Sequence, residues 1–394
     1  MFKATKYRLY PNAEQKVILS KHFGCTRFVF NWALTVKKEA WEDRKENLSR
    51  YDLSKRLPDM KSSEETAWLK EVNSQSLQAA LVNLDMAYTK FFREKKGFPK
   101  FKSKHSRQSF QVPQFGVVGE DFICLPKVGK LKATISRPVE GKIKTITVSK
   151  TPTGKYFASV LSEIEELMPE KLPVTEDGTV GIDLGLKHFA VLSTGESVEN
   201  PRPLKKRLRR LRRAQRRLSR RKKGSNNRNK QRRRVARIHE RVSNTRNDFL
   251  HKLTTRLVRD NQTDSFAIED LAVSNMMKSH RLARSIADVG WRTFRTFLEY
   301  KSDRAGKNVL VIGRFEPSSK TDHKSGAYLP DLTLKDREIQ HADGTTTCRD
   351  LNAAINIKRF ALHPQNFVGR DTPELLRLGR LDNSPIVEPR IPRL

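Results

Sequence analysis

The chain has 394 residues, with 79 Lys or Arg against 44 Asp or Glu, a formal net charge of +35. That excess excludes an ordinary metabolic enzyme and demands an anionic partner; nucleic acid suits it better than a membrane surface, because no strongly amphipathic terminal helix offers an anchor. Hydrophobic residues at 36% suffice for two or three modest cores. The cysteines Cys25, Cys124 and Cys348 are too far apart for a disulfide framework or a CxxC pair. With no apolar run of membrane-spanning length and no signal peptide, a soluble intracellular protein is expected.

Residues 1–11 alternate Phe2, Ala4, Tyr7 and Leu9 with Lys3, Lys6 and Arg8, which predicts one strand stopped by Pro11. Asn12 and Gln15 have capping-box spacing, and 12–96 reads mostly helical, with a break near 48–52. Phe28, Trp32, Phe91 and Phe92 sit at helical spacing and read as core before they read as base-stacking surface. From 97 to 168, short runs at 122–125, 145–149 and 156–161 predict a small antiparallel sheet or barrel. The N-terminal strand should join it, since a lone strand has no partner of its own. The helical stretch is then an insertion.

Residues 169–178 are a polar linker, and 179–362 alternates strands with helices as an α/β unit does. Strands are expected at 180–184, 189–192, 266–269 and 309–312, and helices at 291–300 and 351–360. Within it, 205–234 holds eighteen Lys or Arg and no acid. Such a run can be solvated and disordered, but Leu204, Leu208, Leu211 and Leu218, then Val235, Ile238, Val242 and Phe249, each keep a heptad seam. A basic helical hairpin over 203–258 is therefore predicted. Beyond 363 the text turns Pro- and Arg-rich without periodicity, and 363–394 reads as a mobile tail.

Three acids stand in apolar strand or helix text: Asp183 in GIDLG, Glu269 in AIEDL and Asp350 in RDLNAA. Each alone could be a turn or cap acid. Together, in an α/β unit of a very basic chain, they suit two-metal phosphodiester hydrolysis, which needs carboxylates from separate elements around a pair of hard divalent cations.

The motifs Gly181-Ile182-Asp183-Leu184-Gly185, Glu269-Asp270-Leu271, Pro317-Ser318-Ser319-Lys320-Thr321 and 349–357 (RDLNAAINI) resemble the RuvC-type nuclease core of the transposon-encoded TnpB family, relatives of type V CRISPR effectors. RLYP at 8–11, RFVFN at 27–31 and GFPKF at 97–101 resemble the same family, so the likeness spans roughly 1–360. The resemblance implies an RNase H-like (RuvC) nuclease domain at 179–362. It also implies a wedge β-barrel from 1–11 and 97–168, and an inserted helical recognition domain at 12–96. The implied activity is RNA-guided DNA cleavage beside a short adjacent motif, with Asp183, Glu269 and Asp350 as catalytic ligands of two Mg²⁺ ions. The partners would be a guide RNA and double-stranded target DNA, the chain being a monomer in a cytoplasmic, nucleoid-associated prokaryotic ribonucleoprotein. A nuclease-silent, RNA-guided repressor of the same family is the alternative; a transposase that joins DNA lacks a supporting nucleophile motif.

Arg209, Arg213, Arg216, Arg220, Arg221 and Lys222 of the hairpin are the expected phosphate contacts. Ser74, Gln75 and Gln78 lie on a helix that in the family faces the adjacent DNA motif; a solvated face suits them equally. Relatives carry two CxxC pairs of a zinc ribbon in the interval 318–348, whereas here the aligned slots hold Asp322, Ser325, Gln340 and Asp343. Cys348 stands outside those slots, and His323 and His341 are irregularly spaced, so no zinc is expected and a hairpin turning at Asp343-Gly344 should hold the interval.

Overall fold

The computed structural model describes residues 1–364 except 166, 261, 334 and 335. It divides into two compact units, one of 1–167 with 214–237 and one of 168–213 with 238 onward. The expected tail lies outside the described residues from 365 on.

In the first unit, strand β1 (Phe2–Leu9) leads to a long helix α1 (Ala13–Arg44). Gln15 N donates to Asn12 Oδ1 at 2.8 Å and Asn12 N to Gln15 Oε1 at 3.1 Å, the expected capping box. The predicted break falls where Lys45 takes a left-handed conformation and Ser49 caps α2 (Arg50–Lys55). Helix α3 (Leu57–Ser62), a 3₁₀ stretch (Glu64–Glu71) and α4 (Ser74–Arg93) follow. Leu53, Leu57, Leu69, Leu77, Leu81 and Leu84 close one core over α1.

Strands β2 (Gln108–Val112), β3 (Val117–Val118), β4 (Phe122–Leu125), β5 (Gly129–Thr134), β6 (Lys142–Lys150) and β7 (Tyr156–Glu163) then build a seven-stranded antiparallel sheet in the order β2-β6-β7-β1-β5-β4-β3. β1 pairs along its full length with β7, Phe2 with Glu163 through Leu9 with Tyr156. The N-terminal strand thus finds its partner across the whole helical stretch, as its isolation required. β2 and β3 stand at the two edges of this sheet.

The second unit is a five-stranded sheet ordered β10-β9-β8-β11-β12, from β8 (Thr179–Leu184), β9 (His188–Leu192), β10 (Ser197–Glu199), β11 (Ser265–Glu269) and β12 (Asn308–Ile312). β8, β11 and β12 are mutually parallel and β9 is antiparallel to β8. Helices α5 (Pro203–Ser219) and α6 (Asn226–Arg259) form the predicted hairpin, of which 214–237 counts with the first unit; α7 (Val273–Met276), α8 (Ala283–Val289) and α9 (Trp291–Arg304) follow in the second. A two-stranded ribbon, β13 (Glu338–Gln340) with β14 (Thr346–Cys348), precedes α10 (Arg349–Leu362). The polar linker of 169–178 makes contacts within this unit: Leu172 N donates to Gly306 O at 2.7 Å and Lys171 pairs with Asp303 at 2.6 Å. Among the described residues no helix is long and apolar enough to cross a membrane.

Candidate active site

β8 and β11 pair in register, Gly181 opposite Ala267 and Ile182 opposite Ile268. Asp183 and Glu269 therefore occupy the next rung, at the C-terminal ends of neighbouring parallel strands, where open α/β sheets present their ligand sites. Strand side chains alternate faces. Val180, Ile182, Phe266 and Ile268 join a core with Leu250, Leu253, Phe294 and Leu298 of α6 and α9. Gly181, Asp183, Ala267 and Glu269 take the opposite face, where Ala267 packs on Ile357 and Phe360 of α10.

Gly181 is what lets α10 deliver the third acid. A Cβ there would lie 2.0 Å from Ala354 O and 2.8 Å from Lys358 N, so only glycine allows the helix backbone to rest on the strand. Asp183 is two strand residues beyond Gly181 on the same face, and Asp350 is four residues, about one helical turn, before Ala354, advances of roughly 6.7 and 6.0 Å. Asp350 consequently arrives beside Asp183, whose ionisation it opposes. Its place in the first turn of α10 suits a carboxylate, which the helix N-terminus stabilises.

The electrostatics follow from this crowding. Burial, then the carboxylates of Glu269 and Asp350, push the Asp183 carboxyl up to about 7, against the pull of the Arg349 guanidinium and the Leu184 N–H. Burial also raises Glu269, partly offset by the Ser318 hydroxyl, which donates to Glu269 Oε1. Three hard oxygen donors, one of which burial and then the repulsion of its neighbours keep partly protonated near neutral pH, fit a divalent cation, which would offset both effects. Asp270, the neighbouring acid of the same motif, is spoken for: Arg295 Nη1 lies 2.9 Å and Arg314 Nη2 2.8 Å from its two oxygens.

Two fully buried amides fasten the site. Asn356 Nδ2 donates to Ser318 O at 2.8 Å and Thr321 O at 2.6 Å, and Asn352 Nδ2 to Thr321 O at 2.7 Å. The turn holding Ser318 is thereby locked onto the helix that carries Asp350. Arg349, also buried, donates through Nη1 to Thr333 O at 2.8 Å. These roles were invisible in the sequence as roles, although all three residues stand inside the 349–357 motif that carries Asp350; the signal available was their polarity in otherwise apolar helix text.

In the interval 318–348 the four aligned slots do not converge. Ser325 Oγ donates to Asp322 Oδ2 at 2.6 Å, Asp343 pairs with Lys324 at 2.7 Å, and Gln340 is exposed on β13. Buried His341 instead bridges Asp322 Oδ1 at 2.6 Å and Thr347 Oγ1 at 2.7 Å. Burial raises the Asp322 carboxyl, but the Ser325, Lys324 N–H and His341 contacts outweigh it and hold it down to about 2. Asp322, His323 and His341 bring three donor atoms within 4.8 Å of one another, one short of a tetrahedron, while Cys348 is exposed outside the group. The expected hairpin turns at Asp343-Gly344, with Gly344 at φ 79°, and a separate bridge joins Tyr328 to Thr321.

The six hairpin cations Arg209, Arg213, Arg216, Arg220, Arg221 and Lys222 are all exposed. At the hairpin tip Gln231 Nε2 donates to Ala214 O and Arg228 Nη1 to Leu218 O, each at 2.9 Å. At the hairpin base the buried Asp288 carboxylate accepts the Leu204 and Lys205 N–H groups, at 2.9 and 3.1 Å, and Arg246 at 3.2 Å. Of the α4 polar group, Ser74 accepts from Lys61 Nζ at 2.7 Å, Gln75 Nε2 donates to Gln114 Oε1 at 2.9 Å, and Gln78 is exposed. Phe28 and Trp32 pack at the edge of the helical core as expected, whereas Phe92 is 72% exposed and is not core.

Comparison with known proteins gives three family matches: "Probable transposase" over 161–280, "Helix-turn-helix domain" over 1–46 and "Cas12f1-like, TNB domain" over 291–357. Residues 1–46 here form β1 and the unbroken α1 rather than two helices about a turn. A "Putative RNA-guided DNA endonuclease" of Streptomyces pristinaespiralis is 42% identical over 90% of this chain and 88% of its own length. A "Putative RNA-guided DNA endonuclease InsQ" of Escherichia coli (strain K12) is 34% identical over 90% and 91% respectively. Among solved structures, a chain in "Cryo-EM structure of the Cas12f1-sgRNA-target DNA complex" aligns with TM-score 0.48 at 14% identity, covering 91% of this chain and 98% of that one. At 42% and 34% identity across nearly the full length of both relatives, the chain belongs to the TnpB/InsQ family of RNA-guided DNA endonucleases.

Proposed function

We propose that this chain cuts DNA selected by a bound guide RNA, using Asp183, Glu269 and Asp350 as the ligands of two Mg²⁺ ions. The observation that carries the reading is the meeting of these three carboxylates, from two parallel strands and one helix, on one face of the second unit's sheet. Residues 179–362 act as the RNase H-like (RuvC) nuclease domain, the sheet of 1–11 and 97–168 as the wedge, and 12–96 as the inserted recognition domain. Base pairing supplies the choice of sequence, and the protein reads backbone shape and a short duplex motif.

Bound at the three carboxylates, a pair of divalent cations would activate water and stabilise the leaving oxygen of the phosphodiester. The chain's own residues prepare that site. Ser318 orients Glu269 through its hydroxyl, Asn352 and Asn356 hold the Ser318 turn to α10, and Arg349 draws Asp183 toward its ionised form. Without cations Asp183 holds a proton near neutral pH. The exposed arginines of α5 grip guide or heteroduplex phosphates by forked hydrogen bonds. Ser74, Gln75 and Gln78 of α4 contact the adjacent DNA motif, a reading supported at Gln78 by an exposed amide that makes no hydrogen bond among the described residues. In the ribbon interval, the Asp322–His341–Thr347 chain does the fastening that a zinc ion does elsewhere, so no zinc is needed.

A nuclease-silent repressor is disfavoured because all three acids are present and meet. The test is cleavage of a plasmid carrying the guide-matched sequence by the copurified ribonucleoprotein. Cleavage with Mg²⁺ that EDTA stops supports the endonuclease; binding without cleavage at any Mg²⁺ or Mn²⁺ concentration supports the repressor.

A further inference from the structure

The segment that closes α4 takes no part in the acid site, yet it is a built surface. Tyr88, Phe91 and Phe92 of the last turns of α4 meet Phe98 beyond it in one continuous ring cluster. Tyr88 stacks on Phe92 at 6.2 Å between centroids, and Phe98 meets Tyr88 and Phe91 edge-on at 5.6 and 5.4 Å. Only Tyr88 is rooted in the helical core. Phe92 is 72% exposed and Phe98 45%, so the cluster presents aromatic area to water.

The rings are held there rather than left loose. Lys95 turns the chain in a left-handed conformation at φ 50°, and Lys96 N closes the turn on Lys90 O at 3.1 Å. The returning chain is pinned to α1 where Lys102 N donates to Asn31 Oδ1 at 2.7 Å and Asn31 Nδ2 to Lys102 O at 3.0 Å. Lys102 Nζ also sits 3.7 Å over the Phe30 ring. Around the cluster Lys90, Arg93, Lys95, Lys96 and Lys100 are exposed, and none makes an ion pair among the described residues; Glu94 is the single acid in 88–104. Aromatic faces among unpaired cations are the chemistry that single-stranded nucleic acid recognises, phosphates meeting the cations and bases stacking on the rings.

We propose that the Tyr88–Phe91–Phe92–Phe98 cluster and its flanking cations form a stacking platform for unpaired nucleotides of the guide RNA. This rests on the reading that the chain carries such an RNA. Guide RNA is favoured over a displaced DNA strand because exposed aromatic area is a solubility liability unless covered. A resident RNA covers it throughout the protein's life, whereas a displaced strand exists only on target DNA.

The test uses the full chain freed of nucleic acid and an unstructured fluorescent RNA of about 12 nucleotides, within the range of single-strand sites. An RNA duplex and a DNA strand of the same sequence serve as comparison ligands. Phe92→Ala, whose side chain is mostly in solvent and whose melting temperature should match the parent, should bind the RNA strand about tenfold more weakly. Its salt dependence should be unchanged, and Phe92→Trp should restore affinity. Lys95→Ala with Lys96→Ala should instead lower the salt slope by about 1.4. Parental RNA affinity in Phe92→Ala, or a loss confined to the DNA strand, overturns the platform while leaving guided cleavage intact. A parent chain that binds none of the RNA ligands overturns guided cleavage as well.

Discussion

Replacing Gly181 by Ala adds one methyl group remote from any charge, yet it should cripple cleavage. The added Cβ would meet Ala354 O at 2.0 Å where ordinary contact begins near 3.4 Å, so α10 must retreat by about 1.4 Å or tilt away from β8. Asp350 rides on that helix one turn from Ala354, and its carboxylate would leave Asp183 and Glu269 by a comparable distance. Misplacement of a reacting group by ~1 Å costs about 10²-fold in rate, and overpacking of this kind costs about 1–3 kcal/mol in stability. Single-turnover cleavage by the loaded complex, alongside its melting temperature and guide-RNA affinity, measures the effect. The rate should fall about a hundredfold or more with RNA affinity retained. A rate within threefold of the parent would refute the argument that close approach at Gly181 sets the position of the third acid.

Three further outcomes are expected. Asp183's carboxyl is raised from 3.8 to about 7, so its contribution to stability is fully present below pH 3.8 and is lost as pH rises through 7. At 1.36 kcal/mol per unit the loss is on the order of 4 kcal/mol; chemical denaturation in EDTA should find Asp183→Asn more stable than the parent above pH 7, converging near pH 4, with Mg²⁺ closing the gap. Neutralising Arg209, Arg213, Arg216 and Arg220 together should weaken guide-RNA binding and flatten its salt dependence by a slope of up to about four, and an unchanged slope would place the RNA elsewhere. Metal analysis of the purified complex should find less than one zinc per chain, with activity surviving a zinc-selective chelator in excess Mg²⁺; stoichiometric zinc with Cys348 as a ligand would overturn the hydrogen-bonded ribbon.

Much of this architecture is legible because long apolar periodicities and isolated elements leave few choices. β1 has no strand to pair with before the β run that follows the helices, where β5 and β7 flank it, and the leucine seams of α5 and α6 are buried by forming a hairpin. β5 escapes such reading: in Gly129–Thr134 only Leu131 and Ala133 face inward between exposed lysines, a pattern too short to separate from a loop. Phe92 misleads in the other direction, since helical spacing marks a face without saying whether anything covers it. The acids are legible as strand-end and helix-start carboxylates. Their fasteners are not, because Asn352, Asn356 and Arg349 acquire roles only when the 318–321 turn folds onto α10. The ribbon interval shows the same limit: His341 finds Asp322 across nineteen residues of sequence, a contact that spacing alone cannot reveal.

The most direct measurement is a comparison of Asp183→Ala, Glu269→Ala and Asp350→Ala with the parent in the same guide-loaded complex, scoring DNA binding and cleavage separately. Each variant should bind the matched target at parental affinity, because the basic surfaces are untouched, and each should fail to cut it at any Mg²⁺ concentration. Parental cleavage by any one of the three would contradict a shared metal site built from these carboxylates.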